Sequence, residues 1–189
     1  MTKARDLANG GFGLVLVKPS TVVNGTDNGK GTVSFSAQTS VSLNDVFNAT
    51  YDNYRIVCKI SGGTDNDTIL RWRLRVAGAD DSNNTYYSAS TYNAYNSTTF
   101  TNANSFPATS GLIPLISSNT ADGAGGGTFD VMTPFASQKT TWGGFAFAKS
   151  VGISIVRGVF DTSTSFTGFT FFPSSNNISG KISVYGYNN

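Results

Sequence analysis

The chain has 189 residues, a formal net charge of +2 and 13% charged residues, and it contains neither Glu nor His. So mild a charge balance does not suit a nucleic-acid or anionic-membrane partner, since both require clustered Lys and Arg. Without His, the commonest general base is missing, and Ser-His-Asp and Cys-His catalysis are excluded. We therefore expect a non-enzymatic protein with no cofactor, no metal, and no nucleic-acid or membrane partner. An enzyme such as a polysaccharide depolymerase, with Asp-only or Ser-Lys chemistry, is the least favoured alternative, because no spacing of these residues points to it.

The composition favours strands over helices. Straight-chain residues that lose little rotamer freedom in a helix are scarce, whereas Thr, Val, Ile, Phe and Tyr are frequent. The 39% hydrophobic and 13% aromatic residues are enough for a core. The length fits one domain of sandwich or barrel size. We predict a single all-β body.

The N-terminal part is interpreted as an arm. Residues 1–11 are polar, residues 12–18 predict a short strand that ends before Pro19, and residues 19–31 are dense in turn-forming residues. The favoured division is an N-terminal arm and linker over residues 1–31 and a β-sandwich body over residues 32–189. A first hairpin of the same domain is a nearly equal alternative.

From residue 32 onward, short runs of strand-forming residues alternate with turn sequences. Their spacing is typical of a sandwich or barrel, and a jelly-roll-like antiparallel sandwich is the favoured architecture. No heptad run and no long repeat is present. The predicted strands of the body span residues 32–37, 40–43, 54–61, 69–76, 86–95, 111–117, 127–132, 140–148, 153–160, 167–172 and 181–187.

The clearest of these strands, residues 69–76, places three arginines on one face, because successive side chains point to opposite sides. Arg71, Arg73 and Arg75 repel one another unless carboxylates, phosphate or a partner chain oppose them. The sharper interpretation is a contact with another subunit or another partner chain. Pairing with Asp residues within the same sheet, or simple exposure, is slightly favoured over it.

A tyrosine-rich run over residues 86–95 is the second candidate site. Aromatic rings beside hydroxyls and amides suit low-entropy protein contacts and also sugar faces. Tyr86, Tyr87, Tyr92 and Tyr95 are therefore candidates, in order of preference, for a subunit interface, for the edge of the core, and for glycan binding.

Two further features have simpler interpretations. Cys58 lies in a strand pattern with Ile56 and Ile60, which predicts a buried structural thiol rather than a reactive one. The acidic segments 65–67 and 80–81 offer oxygen ligands for Ca²⁺, but their spacing does not match an EF-hand. Solvated turns are the favoured interpretation of both segments.

Four further segments are informative together and cover residues 46–57, 134–141, 165–175 and 178–188. They resemble a β-rich module of virion structural proteins from tailed phages, especially marine and cyanobacterial ones, where it is often tail-fibre-like. The resemblance spans roughly residues 32 to 189. The opening residues 3–8 resemble leader segments of phage appendage proteins, which makes Lys3, Arg5 and Leu7 candidate anchor residues.

The resemblance implies an exposed, trimeric, jelly-roll-like head on the virion surface, in contact with other capsid or tail proteins. It implies no catalytic residue. The chain contains no coiled-coil or β-helical shaft, so a capsid decoration or knob protein anchored by its N-terminal arm is slightly favoured. The alternative is a tail-fibre tip or receptor-binding module that recognises a host-surface glycan.

Overall fold

The computed structural model of this chain describes residues 13–62, 69–94, 96–113, 125–148 and 152–188. Within these residues it contains strands and no helix, which confirms the all-β prediction. In chain order the strands are β1 (Val15–Val17), β2 (Thr21–Val23), β3 (Thr26–Asp27), β4 (Thr32–Gln38), β5 (Val41–Asn44), β6 (Asn53–Gly62), β7 (Leu70–Val76), β8 (Ala79–Asp80), β9 (Tyr86–Asn93), β10 (Thr101–Ala108), β11 (Gly111–Leu112), β12 (Gly125–Met132), β13 (Thr140–Ala148), β14 (Gly152–Phe160), β15 (Gly168–Pro173) and β16 (Ile178–Tyr187).

The strands form two antiparallel sheets that pack as a sandwich. The large sheet has the order β10-β9-β14-β13-β12-β6-β16-β4-β3, and β1 also pairs with β16. The small sheet has the order β11-β7-β15-β5-β2, and β8 also pairs with β7. The predicted antiparallel sandwich is therefore confirmed, while its finer assignment as a jelly roll stays a prediction.

Aromatic rings fill the space between the sheets. Trp72 of the small sheet contacts Trp142 and Phe129 of the large sheet, with ring centroids 5.1 and 5.5 Å apart and near-perpendicular planes. Such edge-to-face contacts add to the free energy of burial. Cys58 is 4% exposed on the inner face of β6, and burial raises the pKa of its thiol to about 12. The prediction of a buried structural thiol is confirmed.

The C-terminal strand lies inside the large sheet. β16 pairs with β6 along its whole length, and its other side pairs first with β4 and then with β1. The last strand therefore pairs with three segments from the first third of the chain. The edges of the large sheet are formed instead by β10 on one side and by β3 and β1 on the other.

The predicted boundary between an arm and a body at residue 31 is wrong for the described part of the arm. Val15–Val17 pairs with β16, Thr21–Val23 with β5, and Thr26–Asp27 with β4. These segments are rich in β-branched residues, and their backbone groups complete strands that would otherwise lack partners on one side. Residues 15–27 thus belong to both sheets of the sandwich. Lys3, Arg5 and Leu7 lie outside the described residues.

Candidate interaction surface

Of the three arginines on one face of β7, Arg75 has its ionic and hydrogen-bond partners within the chain. Arg75 is 9% exposed and forms an ion pair with Asp80 of the adjacent β8. Its guanidinium also donates to the hydroxyl of Thr170 at 2.7 Å, to that of Ser42 at 3.2 Å, and to the side-chain carbonyl of Asn44 at 2.9 Å. Arg75 is therefore part of a buried polar network, as the favoured interpretation of pairing with Asp within the same sheet predicts.

The other two arginines of β7 are half-buried. The guanidinium of Arg73 lies 4.9 Å from the ring centroid of Phe172, and its Nε donates to the backbone carbonyl of Thr109 at 3.0 Å. A cation over an aromatic face is attracted by the ring quadrupole. Arg71 is half-buried on the same face. A virion contact at these residues stays a prediction, and Arg75 is the least accessible for it.

The tyrosines of β9 divide between the two faces of the large sheet. Tyr86 is fully buried: its hydroxyl accepts from the backbone N–H of Leu74 and donates to the carbonyl of Asp81, both at 2.9 Å. Burial raises the pKa of this hydroxyl well above its ordinary value. Tyr86 is therefore a core residue that links the two sheets, which corrects its assignment to a binding surface.

The remaining candidates of this run differ in exposure. Tyr87 points outward and is 38% exposed, and Tyr92 is half-buried. Tyr95 lies outside the described residues. Among the three tyrosines of this group that the structure describes, Tyr87 has the most exposed side chain.

The outer face of the large sheet carries an apolar patch, which the sequence patterns did not identify. We define the patch as Phe145, Phe147, Ile153 and Ile155, which are 43%, 55%, 40% and 56% exposed. In the pairing of β13 with β14, Phe145 lies opposite Ile155 and Phe147 lies opposite Ile153. The two phenylalanine rings contact each other with centroids 5.4 Å apart. The four side chains therefore form one contiguous surface.

A signal for this patch is present in the sequence. Residues 142–147 alternate Trp-Gly-Gly-Phe-Ala-Phe, so a strand there must place both phenylalanines on the face opposite Trp142 and Ala146. Trp142 and Ala146 are 3% and 0% exposed. Once Trp142 is assigned to the core, the phenylalanines must point outward.

A shallow groove lies beside the patch, where β9, β10 and β14 meet. It has a volume of about 320 Å³ and is lined by the rings of Tyr87 and Phe106, by Ala89 and Val159, and by Arg157. Phe106 is 59% exposed. Past Arg157, a second depression of about 270 Å³ reaches Ile155 and connects the groove to the patch.

Two aspartates of the described residues, Asp130 and Asp81, accept hydrogen bonds from within the chain. Asp130 receives a two-point hydrogen bond from Arg55, with both N–O distances 2.9 Å, and the hydroxyl of Tyr187 donates to it at 3.2 Å. Burial and the charge of Asp130 raise the pKa of Tyr187 to about 12. Asp81 accepts from the backbone N–H of Asn83 at 2.9 Å, as expected of a turn.

Within the described ranges, no three His, Cys or Asp side chains are grouped as ligands for a metal ion. Segment 65–67 lies outside those ranges. The described part of the chain also contains no helix with the length and apolarity needed to cross a membrane. No protein-family model matches the chain, and no curated protein sequence matches it.

Proposed function

We propose that this protein is a non-enzymatic structural subunit on the surface of a tailed-phage virion, favoured as a capsid decoration or knob protein anchored by its N-terminal segment. The observation that supports an assembly role is the apolar patch on the outer face of the large sheet. The phage setting is supported by the resemblance of residues 46–57, 134–141, 165–175 and 178–188 to virion modules.

The size of the patch fits an interface with a second copy of the chain. Phe145 and Phe147 together expose about one whole phenylalanine surface, roughly 200 Å². Ile153 and Ile155 together expose a similar fraction, so the patch measures roughly 300–400 Å². A stable interface buries about 800 Å² per partner around an apolar centre. The patch has the size of such a centre, and the homotrimer implied by the resemblance would bury it.

Light scattering on the full chain tests this assembly. We expect a mass three times that of the 19.9 kDa chain for the unmodified protein, and the monomer mass for Phe145→Thr with Phe147→Thr. Val23→Thr with Val76→Thr removes two equally exposed apolar side chains elsewhere and should leave the mass unchanged. A monomer at all concentrations, or a trimer in the patch variant, would contradict self-assembly through this face.

The location on the particle requires a separate measurement. Immunogold labelling of particles of a phage that encodes the protein should place gold on the capsid if it is a decoration protein. Label confined to the tail tip would support the alternative, and particles without label would contradict the virion assignment. The deletion that tests anchoring is residues 1–12, because residues 15–27 are strands of the sandwich.

The second candidate function is recognition of a host-surface glycan at a fibre tip. The groove favours it, because two exposed aromatic rings, those of Tyr87 and Phe106, lie beside the side chain of Arg157. Rings of this kind contribute contact area with little loss of side-chain freedom.

A further inference from the structure

The groove beside the apolar patch has a defined arrangement of side chains. Strand pairing places Asn104 of β10 and Arg157 of β14 on either side of Ala89 of β9, all on the outer face. Side chains in directly opposed positions lie about 5 Å apart at Cβ. The small methyl group of Ala89 therefore forms a floor between an amide and a guanidinium, and Tyr87, two residues along the strand, closes one end.

Arg157 is exposed and has no acidic partner in the described part of the chain. It differs in this respect from Arg55 and Arg75, which form ion pairs with Asp130 and Asp80. The planar guanidinium matches a carboxylate through two parallel hydrogen bonds. A ligand that carries a carboxylate would supply the charge that the groove lacks.

The remaining groups of the groove suit a sugar ring. The groove is open and shallow, so it offers no deep pocket for an apolar side chain. The outward face of β10 instead presents the exposed amides of Asn102 and Asn104, and the hydroxyl of Thr91 donates to Asn102 at 2.8 Å. Amides can both donate to and accept from sugar hydroxyls. The exposed rings of Tyr87 and Phe106 can cover the apolar face of a pyranose.

We propose that this groove binds a carboxylate-bearing saccharide, such as a uronate unit of a host-surface polysaccharide. Arg157 pairs with the carboxylate, Asn104 forms hydrogen bonds with hydroxyls, and Tyr87 stacks on the ring. This inference rests on the second candidate function, glycan recognition, and adds the charge class of the glycan and the residue that selects it.

Calorimetric titration of the full chain with tetragalacturonate tests the proposal, with neutral maltotetraose and tetraglutamate as comparison ligands. We expect tetragalacturonate alone to bind, and binding to weaken as salt is raised. Arg157→Gln should weaken binding about tenfold or more, because a hydrogen-bonded charge pair is lost. Lys59→Gln, which removes an exposed cation three strands away on the same face, should leave the affinity unchanged. Tyr87→Ala should weaken binding, and Tyr87→Phe should retain most of it.

The outcomes separate this inference from the functions on which it rests. Equal binding of maltotetraose, or no effect of Arg157→Gln, would overturn the acidic specificity and leave glycan recognition standing. Equal binding of tetraglutamate, or no binding of any ligand, would overturn the saccharide site altogether. The affinity per site should persist in the variant Phe145→Thr with Phe147→Thr, whose mass tests self-assembly independently. Circular dichroism spectra identical to that of the unmodified chain confirm that each variant is folded.

Discussion

Replacement of Arg75 by Met tests whether this arginine of β7 stabilises the folded sandwich. Arg75→Met retains a long side chain but removes the ion pair with Asp80 and the hydrogen bonds to Ser42, Thr170 and Asn44. Breaking a buried ion pair from one side costs about 3–5 kcal/mol, because the remaining charge is left without its partner. The carboxylate side chain of Asp80 is 27% exposed and can recover some hydration, so we expect a loss near the lower end, about 3 kcal/mol.

Urea denaturation measures this loss without screening the charges. For a domain of this size, a loss of about 3 kcal/mol corresponds to a fall in Tm of roughly 6–12 °C. Arg73→Met is the matched control: it removes one cation–π contact and one hydrogen bond at a half-buried site, and should cost about 1 kcal/mol.

A double variant separates the ion pair from simple packing. Arg75→Met combined with Asp80→Asn should be less destabilised than the two single changes predict together, by about 0.5–3 kcal/mol, because the residues contact each other. A cost below about 1 kcal/mol for Arg75→Met, or fully additive changes, would refute the argument that Arg75 stabilises the sandwich through this network.

Three further predictions concern the core. Gly158→Ala would place a Cβ 2.2 Å from the ring of Trp142 and should cost about 1–3 kcal/mol by urea denaturation. Gly143→Ala on the paired strand, whose Cβ would have its nearest neighbour at 3.4 Å, should stay within about 0.5 kcal/mol. Tyr86→Phe should cost about 1–3 kcal/mol, because the buried N–H of Leu74 and the partly buried carbonyl of Asp81 lose their partner, and a change below about 0.5 kcal/mol would contradict that role. The thiol of Cys58 should resist a thiol reagent at pH 8 until the chain is unfolded. Because burial raises the pKa of this thiol from 9.0 to about 12, its contribution to the free energy of unfolding is complete below pH 9 and is lost as pH rises towards 12. Cys58→Val should remove this part of the loss, while the part due to buried tyrosines such as Tyr86 should remain.

Local sequence patterns predict those strands in which the side chains on one face are apolar. Residues 69–76 and 140–148 were predicted as strands, and the structure has Leu70–Val76 and Thr140–Ala148. Thr101–Ala108 was not predicted. It is an edge strand, half-buried to exposed throughout, and its Asn and Ser side chains carry no alternation of polar and apolar residues. Its strand conformation depends on the partner β9 rather than on its own composition.

The candidate site could be predicted only in part. Period-two alternation places Tyr86 and Tyr87 on opposite faces of β9, but only the packing of the small sheet shows that Tyr86 is the buried one. The groove requires β10 beside β9 and β14 beside β9, so residues distant in sequence, such as Phe106 and Arg157, meet there. No pattern local to either residue contains that pairing.

By itself, the sequence determined that the chain forms strands, that Cys58 is buried, and that the two phenylalanines of β13 share one face. Only the tertiary structure decided which face of β13 is exposed to solvent. Gly144 lies on the inner face, where an added Cβ would come within 2.2 Å of the carbonyl oxygen of Thr128 and 2.3 Å of Phe129. Both atoms belong to β12, the neighbouring strand of the same sheet, so this position of β13 has no room for a side chain. Local hydrophobicity does not choose between the two faces of β13. The contact of Trp142 with Trp72 of the other sheet places the face of Trp142 and Ala146 in the core, and Phe145 and Phe147 therefore point outward.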